Sequence, residues 1–186
     1  MKKIIALVTF SLLSSAAFAA SPNVSYSMPA VEFGFKWNSA DLDGVSSNKQ
    51  DIGFQLGAST VFNFAPTFGL KTGLFYSERP FKADAAGTEI KGKVTYFEVP
   101  AFFMFKFEDY AGVYVGPSLA IKLGDEVSPG TLQDVKGMIV PITFGAQFKF
   151  VENFGVNIFF ETVPGDLAKG VKNSRAVGAN LLFTFD

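Results

Sequence analysis

From Val31 to Trp37 every second residue is apolar (Val31, Phe33, Phe35, Trp37), and the residues between are Glu32, Gly34 and Lys36. A period of two is the spacing at which side chains of an extended strand fall on one face. The same alternation predicts strands over residues 30–38, 51–64, 67–77, 93–107, 110–123, 137–150, 153–163 and 174–186. The apolar face continues through Ile52, Phe54, Leu56, Phe68, Leu70, Phe103, Phe105, Val113, Val115, Phe144, Phe148, Ile158, Phe160, Leu181 and Phe183.

Alternation alone fits a soluble barrel with an apolar interior and a membrane barrel turned the other way. The second face decides between them. It holds Gly34, Gly53, Gly57, Gly73, Gly112, Gly116, Gly145, Gly155 and Gly178, with Gln55, Ser59, Ser118, Thr143, Asn157 and Asn180. A solvated exterior would carry Lys, Glu and Thr instead, because glycine in an exposed strand packs nothing and costs entropy. Small residues suit the inside of a narrow barrel, where eight strands leave room for side chains only. The apolar face therefore points to lipid. Composition agrees, with 23 Phe and 18 Gly but only 18% charged residues.

Connections alternate in length. Ala65-Pro66, Glu108-Asp109 and Val151-Glu152 are tight, whereas residues 39–50, 78–92, 124–136 and 164–173 are long and rich in Gly, Asp, Ser and Pro. This is the asymmetry of an outer-membrane barrel, with short periplasmic turns and longer external loops. The fold expected is all-β, an eight-stranded antiparallel up-and-down transmembrane β-barrel over residues 20–186. Residues 1–19 read as a signal peptide: Lys2 and Lys3, an apolar run from Ile4 to Leu13, then Ala17-Phe18-Ala19 for cleavage. That run is shorter than the roughly 20 residues of a spanning helix.

The residue inventory excludes much chemistry. With no histidine, Ser-His dyads, His metal sites and imidazole bases are impossible. With no cysteine, an exported chain has no disulfide to staple it. A net charge of −1 gives no electrostatic case for nucleic acid. The acids Asp41, Asp43, Asp84, Asp125, Glu126 and Asp134 lack the spacing of a calcium loop, so neither metal nor cofactor is expected. What remains is an inward set of charges: Glu32, Glu98 and Glu161 with Lys36, Lys71, Lys106, Lys122 and Lys149. A narrow lumen tolerates charges only when they are paired, so these residues predict a neutralising lumen network rather than a catalytic carboxylate pair. If a hairpin forms at Glu108-Asp109 with like faces together, Lys106 meets Gly112 and Glu98 meets Ala120. That register sets Lys122 diagonally from Glu98, and an ion pair between them is expected.

Leu74-Phe75-Tyr76-Ser77, Tyr96-Phe97-Glu98-Val99-Pro100 and Val115-Gly116-Pro117-Ser118 resemble the recurrent strands of the bacterial PorT-like outer-membrane β-barrel domain, often labelled a porin family. The resemblance implies an outer-membrane location, outer-membrane lipid as surroundings and the assembly machinery as a partner, with no catalytic residue to carry across. Such barrels usually end on an aromatic residue, whereas Asp186 follows Phe185 here. The expected role is structural or surface-interacting and not enzymatic, with an unknown extracellular ligand at the long loops. The alternatives are a narrow porin-like channel and a soluble lipocalin-like binding barrel. Tyr96, Phe102, Met104, Tyr114 and Phe159, predicted to fill the lumen, stand against the channel.

Overall fold

The computed structural model describes residues 25–26, 29–45, 47–85, 87–108, 110–151 and 153–185. The expected signal peptide, Asp109, Glu152 and Asp186 lie outside them. Eight main strands form the wall: β1 (Ala30–Leu42), β2 (Asp51–Asn63), β3 (Phe68–Ala85), β4 (Thr88–Glu108), β5 (Ala111–Ser128), β6 (Ile142–Val151), β7 (Phe154–Thr162) and β8 (Val171–Thr184). Each pairs antiparallel with its neighbour in sequence, and β8 closes on β1 through a register that runs from Val171↔Leu42 to Thr184↔Ala30. Closure removes the free edges that lipid would leave unsatisfied. Short pairing segments at Ser25–Tyr26, Ser47–Lys49 and Met138–Ile139 extend the sheet. No helix occurs among the described residues.

The alternation sets the faces as expected. Phe35, Leu56, Phe103, Phe144, Phe160 and Leu181 are exposed on the outer wall, while Glu32, Lys36, Tyr96 and Glu98 are buried inside. A soluble lipocalin-like barrel has the opposite polarity, so that alternative fails on the direction of the apolar face. Around the short-turn end the outer wall carries ring-on-ring contacts: Phe68 with Phe103 and Phe105, Tyr110 with Phe148, and Phe154 with Phe183. Such an aromatic girdle is what the membrane interface selects.

Inward glycines make room for inward rings. A Cβ on Gly178 would lie 2.2 Å from the Phe159 ring, and one on Gly145 would lie 2.4 Å from that of Tyr114. Large and small side chains thus interdigitate across a lumen too narrow for two large ones.

Several boundaries differ from expectation: β1 runs on to Leu42 and β8 begins at Val171, both inside segments expected as loops, and Ser47–Lys49 pairs as a strand within the first of them. Most of residues 78–92, expected as a loop, is strand: 78–85 and 88–92 pair as two arms down to Ala85↔Thr88. The alternation in fact persists there, with Arg79, Phe81 and Ala83 buried opposite Glu78, Lys82 and Asp84, and Pro80 is what disguises it. β5 likewise runs on to Ser128 against Lys91. The strand expected at 137–150 is split, because Pro141 cannot donate to the ladder between Ile139 and Ile142.

Candidate functional site

The lumen is the candidate site, and two charge clusters occupy its middle. In the first, Arg79 of β3 reaches Glu161 of β7 at 2.6 Å and Glu98 of β4 at 2.7 Å. Lys36 of β1 stands 3.4 Å from Glu161 and 3.8 Å from Glu98, and also donates to the Ser77 hydroxyl. Two cations meet two carboxylates. The second cluster centres on Glu32 of β1, which is 2.7 Å from Lys71 and accepts from Ser59 at 2.5 Å, Asn157 at 2.8 Å and Asn180 at 3.3 Å. Lys71 also donates to Gln147 at 2.9 Å and lies over the Tyr114 ring, whose hydroxyl donates to Asn157. Each cluster sums to zero charge, the condition under which low-dielectric burial is tolerable.

Between the clusters lies a cavity of ≈ 20 Å³ bordered by Glu32, Lys71, Glu98, Pro100 and Thr143, space on the scale of one water molecule. Arg79 Nε, Thr143 Oγ1 and Asn180 Oδ1 have no protein partner. Arg79 itself stacks over Tyr96, its guanidinium carbon 5.8 Å from the ring centre.

Both ends of the lumen are closed by apolar matter. At the long-loop end, Ile139, Val163, Leu167 and Ala168 from the connections pack on Phe81, Val94, Tyr96 and Val171 from the strands. Backbone bonds knit this cap together, with Lys136 N–H donating to Leu167 O at 2.8 Å and Lys169 N–H to Gln133 O at 3.0 Å. Toward the short-turn end Phe102 stacks on Tyr114 (5.0 Å, 15°), with Val61, Met104 and Phe159 packed around them. Below that layer a vestibule of ≈ 100 Å³ opens, bordered by Lys106, Glu108, Gln147 and Lys149.

The expected charges therefore separate into four places. Glu32 and Lys71 form one cluster; Lys36, Glu98 and Glu161 form the other; Lys106 and Lys149 border the vestibule; Lys122 stands at the opposite rim. The expected Glu98–Lys122 pair does not form. The register is the expected one, Glu98↔Ala120 and Lys106↔Gly112, but β5 accommodates an extra residue, Leu123, opposite the Thr95–Tyr96 step. Lys122 instead binds Asp125 at 2.9 Å, and Glu98 takes Arg79, the cluster's central cation and the residue the sequence reading missed.

Chemically the lumen holds carboxylates already engaged by cations and hydrogen bonds. Outside the wall, Asp41, Asp43 and Asp84 face Arg175, Lys172 and Lys49. Among the described residues no three acids converge to hold a metal. At the tip of the long hairpin, hydrogen bonds from Lys82 and Lys91 hold the Glu89 carboxyl down to about 2. Asp43 likewise pushes Lys172 up.

A family model described as "Outer membrane protein beta-barrel domain" matches residues 14–162. Among solved structures, Neisserial surface protein A superposes with a TM-score of 0.55 at 14% identity, covering 87% of this chain and 99% of that one. Ail, the attachment invasion locus protein of Yersinia pestis, gives 0.46 at 18% identity over 84% of this chain and 99% of its own. The N-terminal β-barrel domain of Pseudomonas aeruginosa OprF gives 0.41 at 12% identity, covering 86% and 100%. No curated protein sequence matches the chain.

Proposed function

The chain belongs to the outer membrane protein β-barrel domain family, an integral barrel of the bacterial outer membrane, and from that premise we propose a non-catalytic, structural or surface-interaction role with a lumen closed to solutes. One observation carries the reading. The lumen is filled through its height by an apolar cap, two neutral charge clusters and an aromatic layer, with an internal cavity of only ≈ 20 Å³ between the clusters.

The long connections are the part offered to partners outside the cell, and the tight turns face the periplasm, as the loop asymmetry of such barrels implies. Protease added to intact cells reaches residues 39–50 or 78–92 before the tight turns; labelling of Glu108 at the cell surface would reverse this topology. We read residues 1–19 as the secretion signal, the assembly machinery as the partner that inserts the chain, and the Tyr96–Pro100 and Val115–Ser118 stretches as a finer likeness to PorT-like barrels. The test of the closed lumen is electrical. Purified protein in planar bilayers gives no steady current; a steady open-channel current in the wild type, lost in Glu98→Gln, would favour the porin-like alternative.

A further inference from the structure

On the outer wall of β3, β4 and β5 a row of small outward side chains interrupts the bulky surface. Thr72 pairs in register with Ala101, and Pro117 follows at the same level two residues from Val115. The adjacent row is large throughout, Leu70↔Phe103↔Val115↔Phe144. On the other side stand Val99, Leu119 and Val140. Small residues between two bulky rows leave a furrow, and here it is an open groove of ≈ 370 Å³.

The backbone yields at the same place. Between β3 and β4 the ladder lapses from Thr72↔Ala101 to Phe75↔Glu98, and between β4 and β5 from Pro100↔Ser118 to Phe103↔Val115. Pro100 and Pro117 have no N–H to donate there. An unpaired carbonyl facing hydrocarbon is costly, and the Thr72 hydroxyl relieves one by donating to Pro100 O at 2.7 Å. The gap is deep enough that the buried, inward Ser118 and Pro100 also border the groove.

We propose that this groove is a lipid-binding site that holds one acyl chain of a membrane lipid. Its lining is apolar but for Thr72 and Ser118, and the hydroxyls of these two are turned to Pro100 O and, at 3.5 Å, to Glu98. It is continuous with the lipid-facing band on which Leu70, Phe103, Val115 and Phe144 are exposed. A chain seated between the bulky rows gains dispersion contacts on several sides, whereas one lying on the convex wall elsewhere touches protein on one side only.

The test uses the full barrel reconstituted in phosphatidylethanolamine–phosphatidylglycerol vesicles doped with a phospholipid carrying a mid-chain diazirine. After illumination, adducts are mapped by mass spectrometry. Labelling at Val99, Ala101, Pro117 and Leu119 exceeds that at Ile158, Val177 and Leu181, which are exposed elsewhere on the belt, by about threefold, the excess given by one RT of preference. Ala101→Trp, or the milder Ala101→Leu, fills the groove and brings labelling there to the belt level while Leu181 is unchanged. Even labelling around the wild-type belt, or an excess that survives both variants, overturns the proposal. So does protection of the patch accompanied by cross-links between copies through position 101, which would assign the groove to a second copy of the chain.

Discussion

The lumen and the protruding β3–β4 hairpin are built from the same ion-pair chemistry at the same separations, and they have little else in common. Arg79 meets Glu161 at 2.6 Å with both side chains almost wholly buried; Lys82 meets Glu89 at 2.7 Å with the two side chains 23% and 38% exposed. Distance does not tell the two pairs apart. Solvent does: an exposed pair is screened by water and salt and contributes little. A buried pair removed by half leaves an uncompensated charge in a poor dielectric. The charges of the lumen therefore specify which side chains must be present together, and those of the hairpin mainly keep a long, water-facing hairpin soluble.

The largest break in this comparison is Arg79→Met. It leaves Glu98 and Glu161 facing Lys36 alone, and removing one partner of a buried set costs about 3–5 kcal/mol. Urea unfolding of the refolded barrel in lipid vesicles measures it. A neutral result would mean that water reaches the cluster freely, and the closed-lumen account would fall with it. Slightly smaller is the effect of placing a charge on the other side of the same wall. Phe144 and Phe160 are register partners on the outer face, and Phe105 lies farther round on β4. Phe144 or Phe160 changed to Arg costs about 2–4 kcal/mol, the mid-height value, whereas Phe105, expected at the same height, stands in the girdle at the short-turn end and costs about 0–1 kcal/mol. Neutral outcomes at both Phe144 and Phe160 in the same titration would reverse the assignment of faces.

The contrast also marks what could be read from the chain. Faces were legible because glycine, serine and asparagine alternate with phenylalanine, leucine and valine, and a one-residue slip would expose the wrong set. The β4–β5 register was legible because a tight turn fixes it. Arg79 was not, since it sits beside Pro80 in a segment whose polar composition resembles a loop; the signal was Phe81 and Ala83 continuing its parity. The partner of Lys122 was hidden for another reason. A bulge at Leu123 is a local choice of backbone that no residue type there announces. The apolar cap was illegible as well, because Ile139 comes from one connection and Val163 and Leu167 from another, and they meet only once the barrel has closed.

On the hairpin, the corresponding deletion does almost nothing. Lys82→Ala removes one of the two lysines at Glu89, yet Lys91 still reaches the same carboxylate at 2.7 Å, and the pair stands in water. The unfolding midpoint stays within the scatter of the wild type in the titration that registers Arg79→Met. A loss comparable to that of Arg79→Met would show that the hairpin tip is integral to the barrel and erase the distinction drawn between the two regions.

The smallest effect is a proton. Two hydrogen bonds, first from Lys82 and then from Lys91, bring the Glu89 carboxyl from its ordinary 4.5 to about 2. A carboxyl whose folded value is depressed favours the folded hairpin fully above its unfolded value, and that contribution fades as pH falls from about 4.5 toward 2. Carbon-detected NMR of the side-chain carboxyl in micelles follows this directly. At low salt the midpoint lies near 2. Added salt moves it back toward 4.5, because an exposed pair is screened within a Debye length of roughly 10 Å at 0.1 M. Lys82→Ala moves it the same way and part of the distance. A midpoint indifferent to both salt and Lys82 would mean that the carboxyl is held by something other than exposed lysines, and the hairpin would then resemble the lumen it is contrasted with.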